Sequence, residues 1–260
     1  MAMNIGVIQK KNLLKLLTKF KKNKEYEFES RFVNTKENNN FINHYSIKDV
    51  LNYLTFSKEN NGLEFKFEVK SILDIQLNDN KRYSITGLNN IKKYWLLNKI
   101  DNIKHILIKK ERLENIDLLN NDIRFSLSTE EELKSSNKVN IDNIKAYRLK
   151  TRYSIKTDDN LFSIDITITK NINNPQTSFK NINFENLMEN YEIEIELLHN
   201  KSTEKLNEEE LLNEFMKYNY YILSILQKND NVIDNAGKLK VLMEYNKLVR
   251  INTFKFITGK

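Results

Sequence analysis

Hydrophobic and polar residues alternate with a period of two along several segments of this chain. Residues 191–197 are Tyr-Glu-Ile-Glu-Ile-Glu-Leu, with a glutamate at every second position. A strand directs residues i, i+2 and i+4 to one face, whereas a helix spreads them around its circumference. The segment therefore predicts a strand with one acidic face and one apolar face.

Two other segments show the same alternation, with their charges sorted by sign. Residues 25–32 place glutamates opposite tyrosine and phenylalanine, and residues 147–153 place Arg148, Lys150 and Arg152 on one face. A single strand of this kind is usually the solvated face of a sheet, on which both signs are mixed. Two acidic strands and one basic strand instead favour a shared site for a metal ion and a polyanion.

The rest of the pattern predicts about nine strands in all, mostly antiparallel neighbours, with inserted and terminal helices. Further strands are expected at 63–69, 72–77, 81–86, 103–113, 123–128, 144–156 and 161–169, and loops at 38–40, 78–80 and 158–160. Helices are expected at 8–20, from a cap at Ser46, at 91–100, from a cap at Asn207 to 226, and at 241–250. The predicted fold class is β-dominated α+β, a closed antiparallel β-barrel with flanking helices, because closure removes exposed edges and encloses the charged faces.

Composition narrows the classes of function. Of the 260 residues, 40% are hydrophobic and none is cysteine, which excludes disulfides, thiolate metal sites and a cysteine nucleophile. The sequence shows no apolar leader and no segment of membrane-spanning length, so we expect a soluble protein of the cytoplasm. The net charge of +7 favours anionic partners such as RNA or DNA.

The charged strands carry the candidate chemistry. Glutamates from opposite walls of a barrel are suited to bind a hard divalent ion such as Mg²⁺ or Mn²⁺. Arginine binds phosphate oxygens through paired hydrogen bonds, and lysine acts as a point charge. The three histidines, His44, His105 and His199, are too scattered for a histidine metal site, and Trp95 is expected in the core.

Four segments, at 26–32, 147–154, 164–167 and 191–197, resemble in sequence and in order the motifs of the triphosphate tunnel metalloenzymes. The resemblance is to the RNA 5′-triphosphatase domain of mRNA capping enzymes from giant viruses, poxviruses and fungi, and most of all to the large-virus and linear-plasmid type. It implies a metal-dependent hydrolase that removes the γ-phosphate of triphosphate-ended RNA in the first step of cap formation.

The resemblance also implies roles for individual residues. Catalytic carboxylates are expected at Glu27, Glu29, Glu130, Glu192, Glu194 and Glu196, of which Glu27, Glu29, Glu194 and Glu196 would hold Mg²⁺ or Mn²⁺. Phosphate-binding side chains are expected at Arg82, Lys109, Arg148, Lys150, Arg152, Asp165 and Thr167. Two choices stay open, since Lys110 rivals Lys109, and Glu131 and Glu132 rival Glu130. Arg31 stands where related small-substrate enzymes have lysine, which argues against a thiamine triphosphatase or a cyclase.

In this interpretation, residues 1–252 form the triphosphatase domain, with a core at 25–198 and C-terminal helices at 207–250. Residues 253–260 resemble the start of a linker toward a guanylyltransferase domain, which is an expected partner together with a methyltransferase. The expected location is the host cytoplasm, or the virion if the protein is viral. Two alternatives remain: a hydrolase of free nucleoside triphosphates or polyphosphate, and a non-catalytic basic RNA-binding scaffold.

Overall fold

The computed structural model describes residues 5–33, 42–61, 66–134, 143–173, 175 and 178–257. The strands are β1 (Tyr26–Phe32), β2 (Lys66–Leu77), β3 (Lys81–Thr86), β4 (His105–Leu118), β5 (Ile123–Leu133), β6 (Ile144–Lys156), β7 (Phe162–Asn173) and β8 (Glu189–Leu197). The α-helices are α1 (Val7–Lys22), α2 (His44–Asn61), α3 (Leu88–Leu97), α4 (Lys201–Lys205), α5 (Glu208–Gln227) and α6 (Asn235–Ile257).

The eight strands form one closed antiparallel barrel in the order β1-β5-β4-β3-β2-β6-β7-β8. This confirms the predicted fold class. The expectation that the acidic strands lie on opposite walls is wrong, because closure pairs the first strand with the last. Glu29 of β1 lies directly opposite Glu196 of β8 in that pairing. The two acidic strands therefore form one continuous acidic wall.

The main hydrophobic core lies outside the barrel, between its wall and the helices α1, α2 and α5. Phe215 of α5 shows how it is built, since its ring lies 4.9 to 5.5 Å, centroid to centroid, from the rings of Phe28, Phe125 and Phe162 on three different strands. A second, smaller core packs α3 against β2, β3 and β6. The outer faces of the strands thus take the apolar side chains and leave the inner faces polar.

The N-terminal caps of the helices agree only in part with those predicted from the sequence. Asn207 is the N-cap of α5 as predicted, and it forms a capping box with Glu210, in which each side chain accepts a hydrogen bond of 2.9 Å from the other residue's backbone N–H. At α2 the predicted cap is wrong, because the Asn43 side chain accepts from the Ser46 N–H at 3.0 Å. Helix α2 therefore begins at His44, two residues before Ser46, since asparagine caps a helix as well as serine does.

Three other expectations differ from the structure. The strands expected at 63–69 and 72–77 are one continuous strand, β2, so the barrel has eight strands and not nine; residues 38–40 and 62–65 lie outside the described residues. Trp95 is not a core residue, because it is 45% exposed while its neighbour Tyr94 takes the buried position of α3. Helix α6 begins before and ends after the predicted span of 241–250. The predicted linker at 253–260 stays a prediction.

None of the helices in the described ranges combines the length and the apolar character that crossing a lipid bilayer would require.

Candidate active site

The polar faces of the strands point into the barrel because the apolar faces are covered by helices. Along β1, Phe28 and Phe32 belong to the outer core, so the alternating residues Glu27, Glu29 and Arg31 point inward. The same alternation brings the sequence-predicted residues of five other strands into the interior. They are Arg82, Glu130, Arg148, Lys150, Arg152, Asp165, Thr167, Glu192, Glu194 and Glu196.

The acidic wall formed by β1 and β8 holds carboxyl groups that ionise less readily than usual. Burial, with Glu194 as the next cause, raises the pKa of Glu29 to about 7. Burial, together with the charges of Glu27, Asp165 and Glu29, raises the pKa of Glu196 to about 8. A buried carboxyl group near other carboxylates holds its proton more tightly, because burial and like charges both disfavour its ionised form. In Glu29 and Glu196 these two effects outweigh the opposing charge of Lys110.

Of the two candidate lysines, Lys109 and Lys110, it is Lys110 that lies beside this wall. Its ammonium group contacts the Glu27 carboxylate and lies 3.9 Å from Glu29 Oε2 and 3.2 Å from Glu130 Oε1. Although burial alone would lower the pKa of Lys110, the charges of Glu29, Glu27 and Glu130 raise it. Lys109 follows Leu107 on the outer face and pairs with Glu111 at 2.5 Å. The expectation that Lys109 lines the interior is therefore wrong, because strand alternation turns it outward.

Glu130 is the interior residue of the three adjacent glutamates on β5. It accepts a hydrogen bond of 2.8 Å from Arg82 Nη2 and also contacts Lys110. Glu131 and Glu132 are both exposed, and Glu131 lies opposite Lys109 on the outside of the barrel. Of the three candidates, Glu130 alone is in contact with the interior cations.

Glu194 sits between two guanidinium groups. Its carboxylate contacts Arg31 and lies 4.0 Å from Arg152 Nη2. Burial would raise the pKa of Glu194, but Arg31 and Arg152 hold it at about 2. Arg152 also pairs with Asp165 at 3.2 Å and donates to Thr167 Oγ1 at 3.3 Å, so the basic strand β6 is tied to the neighbouring strand β7.

Two more basic residues of β6 point into the interior, and each pairs with a carboxylate. Arg148 Nη2 donates to Glu192 Oε1 at 2.9 Å. Lys150 contacts Asp74 of β2 in the most buried ion pair described, with side chains 6% and 2% exposed. Burial would raise the pKa of Asp74, but Lys150 and Arg82 lower it.

Sequence reasoning missed Asp74, which lies in the apolar run Ile72–Leu77 as a lone carboxylate. The signal was present, because a single acidic residue inside a strand that is otherwise apolar needs a buried partner. Ser128 was also missed; its hydroxyl donates to Glu27 Oε2 at 3.2 Å. A serine in a strand carries no comparable signal in a sequence.

A cavity of about 280 Å³ opens into this interior. Its inner part is lined by Glu29, Arg31, Arg82, Lys110 and Arg148. Within the described ranges, the Nε atoms of Arg31 and Arg82 are buried and have no hydrogen-bond partner. Buried donors are normally satisfied, so these two N–H groups are available to an anionic ligand that enters the cavity.

The described residues contain no group of three histidine or acidic side chains already arranged around a metal ion. Lys110 and Arg31 explain this, because they lie among the carboxylates that would otherwise converge. The donor set still fits Mg²⁺ or Mn²⁺, since Glu27, Glu29 and Glu196 offer only oxygen ligands and the pKa of Glu196 is raised by the carboxylates around it. Glu194 as a metal ligand stays a prediction.

Comparison with solved structures finds the same barrel in other proteins. The RNA triphosphatase domain of the trifunctional mimivirus mRNA capping enzyme superposes with a TM-score of 0.60 at 20% sequence identity, covering 86% of this chain and 100% of that one. The S. pombe RNA triphosphatase Pct1 superposes with a TM-score of 0.56 at 15% sequence identity, and the match covers 85% of this chain and 94% of Pct1. The structure of Pct1 in complex with the Spt5 CTD superposes with a TM-score of 0.55.

No family model and no curated protein matches the sequence. The likeness therefore lies in the three-dimensional arrangement at a low sequence identity. This chain has the closed triphosphate-tunnel barrel that the RNA triphosphatases of mimivirus and S. pombe also have.

Proposed function

We propose that this domain is a metal-dependent RNA 5′-triphosphatase that releases the γ-phosphate from the 5′ end of nascent RNA. One observation carries the proposal: acidic side chains of β1 and β8 and basic side chains of β6 share the interior of one closed barrel, where Arg148 lies 2.9 Å from Glu192 and Arg152 lies 4.0 Å from Glu194. Neither set of charges would be stable there alone, whereas a divalent ion and a triphosphate together neutralise both. The fold shared with viral and fungal RNA triphosphatases supports it.

The basic residues would hold the triphosphate. Arg82, Arg148 and Arg152 present planar guanidinium groups suited to paired hydrogen bonds with phosphate oxygens, and Lys150 adds a point charge. Each of the four already has a carboxylate partner, which fixes its position before substrate arrives. Such preorganised cations can offset charge that develops on the transferred phosphoryl group without reorganising.

The acidic residues would have two roles. Glu27, Glu29 and Glu196 would hold Mg²⁺ or Mn²⁺, which supplies Lewis-acid charge at a γ-phosphate oxygen when bound. Glu130, placed between Arg82 and Lys110, would orient the attacking water and accept its proton. Attack in line with the bond to the β-phosphate oxygen breaks that bond and leaves a diphosphate end and inorganic phosphate.

The experiment uses RNA labelled at either the γ- or the α-phosphate, with ATP and polyphosphate as competing substrates. We expect labelled phosphate from the γ-labelled RNA and a diphosphate end on the α-labelled RNA. Faster hydrolysis of ATP or polyphosphate than of RNA would instead favour the hydrolase of small substrates. Binding of RNA without any phosphate release would favour the scaffold.

This function assigns the domain the first step of cap formation. Its product, a diphosphate-ended RNA, is what a guanylyltransferase must receive, so we propose such a domain, and a methyltransferase after it, as partners in the same or an associated polypeptide. Since the substrate would be a nascent transcript of a virus or cytoplasmic genetic element, we propose the host cytoplasm or the virion as the location.

A further inference from the structure

The cavity described above has an outer part that differs from its inner part. Toward the turn between β2 and β3 and the start of β6, its lining includes Asn80, Lys81, Arg112 and Lys145. Arg112 and Lys145 are both exposed, whereas Glu29 at the inner part is 7% exposed. These residues therefore mark the opening through which the interior communicates with solvent.

The two kinds of cation in this lining have different surroundings. The inner cations Arg82, Lys110 and Arg148 are each paired with a carboxylate. Lys81 at the opening contacts Asp79. Arg112 and Lys145 have no carboxylate within ion-pair distance in the described part of the chain. Positive charges at the rim of a cavity raise the local concentration of anions there.

The size of the cavity limits what can lie inside it. A volume of about 280 Å³ is at the small end of ligand-binding pockets, which typically hold about 300 to 1,000 Å³. A triphosphate and a nucleotide chain do not both fit in that space. Arg112 and Lys145 lie where the lining is exposed, so a chain that extends from the triphosphate on this side of the cavity passes them.

What is attached differs between the two candidate substrates. A free nucleoside triphosphate ends in a neutral nucleoside beyond its α-phosphate, whereas an RNA continues with one negative charge per nucleotide. Only the RNA places further phosphates at the opening. We infer that Arg112 and Lys145 form a subsite for the first phosphodiester groups of the RNA chain, and that this subsite makes the domain selective for polynucleotide ends over free nucleoside triphosphates. This inference rests on the proposed function.

The test is the double variant R112A/K145A, with K92A/K93A as its control. Lys92 and Lys93 are exposed on α3, outside the barrel, so the control removes the same charge elsewhere. Both pairs are exposed, and thermal melting verifies that each variant folds. The substrates are a ten-nucleotide RNA with a 5′-triphosphate and ATP.

We expect R112A/K145A to lower the ratio of kcat/KM for RNA to kcat/KM for ATP by about tenfold, mainly through KM for RNA. The slope of log Kd against log salt for the same RNA, measured by fluorescence anisotropy in chelator, should fall by about 1.4, because each contact to single-stranded phosphate contributes about 0.7. K92A/K93A should change neither value.

An equal loss with RNA and ATP, or an unchanged ratio, would overturn the subsite. Failure of the wild type to release phosphate from RNA would overturn the proposed function instead. The binding measurement needs no turnover, so in that case an unchanged salt slope in R112A/K145A still contradicts the subsite, and a reduced slope still supports it.

Discussion

Glu29 and Glu196 lie directly opposite each other across the strand pair that closes the barrel. Their carboxyl groups both point inward, and burial is the main cause that raises the pKa of each, to about 7 and about 8. Like charges in directly opposed strand positions destabilise a sheet. Ionisation of this pair therefore lowers the stability of the barrel, and a cation bound between the two carboxylates would offset that loss.

Replacing Glu196 should change how the stability of the fold depends on pH. The folded chain keeps a proton on Glu196 that the unfolded chain loses above its ordinary pKa of 4.5, so the stability of the wild type falls as pH rises toward about 8. Without metal, Glu196→Gln should melt at about the same temperature as wild type near pH 5 and roughly 5 °C higher above pH 8. The measurement is differential scanning calorimetry of both proteins in chelator.

Divalent ions provide the control for that prediction. Mg²⁺ or Mn²⁺ should raise the melting temperature of the wild type above pH 8 and close the gap to Glu196→Gln, which lacks one ligand. If the difference in melting temperature between the two proteins stayed the same from about pH 5 to above pH 8, the charge of Glu196 would already be compensated by other groups in the fold.

Glu27→Ala should abolish catalysis and leave the fold intact. Glu27 is held by Ser128 and Lys110 on the acidic wall, so its loss should reduce γ-phosphate release by at least about a hundredfold. Glu131→Ala, one strand away on the outer face, is the matched control and should keep full activity. If both variants hydrolyse RNA at the wild-type rate, Glu27 lies outside the site.

Lys110 and Lys109 offer a comparison of two adjacent lysines. Lys110→Ala removes the cation that contacts Glu27, Glu29 and Glu130, so kcat should fall by at least about tenfold. Lys109→Ala removes only an exposed surface pair with Glu111, so kcat should stay close to that of the wild type. Steady-state kinetics of the two variants would contradict the assignment if Lys109→Ala were the more damaging.

The buried pair of Asp74 and Lys150 should be essential as a pair. Asp74→Leu leaves a buried ammonium group without its partner and should lower the free energy of unfolding by about 3 to 5 kcal/mol. The double variant Asp74→Leu/Lys150→Met should recover most of that stability but not the activity, because Lys150 would then be missing from the phosphate site. Denaturant unfolding and phosphate release together check both parts. Recovery of activity in the double variant would exclude Lys150 from phosphate binding.

The sequence predicted the barrel and most of its interior because the decisive signal was local. Alternation of charge with apolar residues in 26–32, 147–154 and 191–197 fixes which face each side chain takes, and the structure follows it at Glu29, Arg152 and Glu194. Two adjacent lysines could not be separated in this way, because the choice between Lys109 and Lys110 depends on where β4 begins to pair.

Long-range relationships were not predictable from such a pattern. The pairing of β1 with β8 depends on barrel closure, and the sequence of neither strand indicates that Glu29 lies opposite Glu196. The partnership of Asp74 with Lys150 likewise joins residues 76 positions apart in the chain. Tertiary packing also decided which aromatic residue of α3 is buried: Tyr94 is, whereas Trp95, which was expected in the core, is exposed.

The most direct test of a metal-dependent site among the acidic and basic side chains of the barrel interior is release of γ-phosphate from 5′-triphosphate RNA by the purified wild-type chain. The assay is run in chelator, in Mg²⁺ and in Mn²⁺. We expect phosphate release in at least one metal and none in chelator. Equal release with and without metal, or no release under any of the three conditions, would contradict the account.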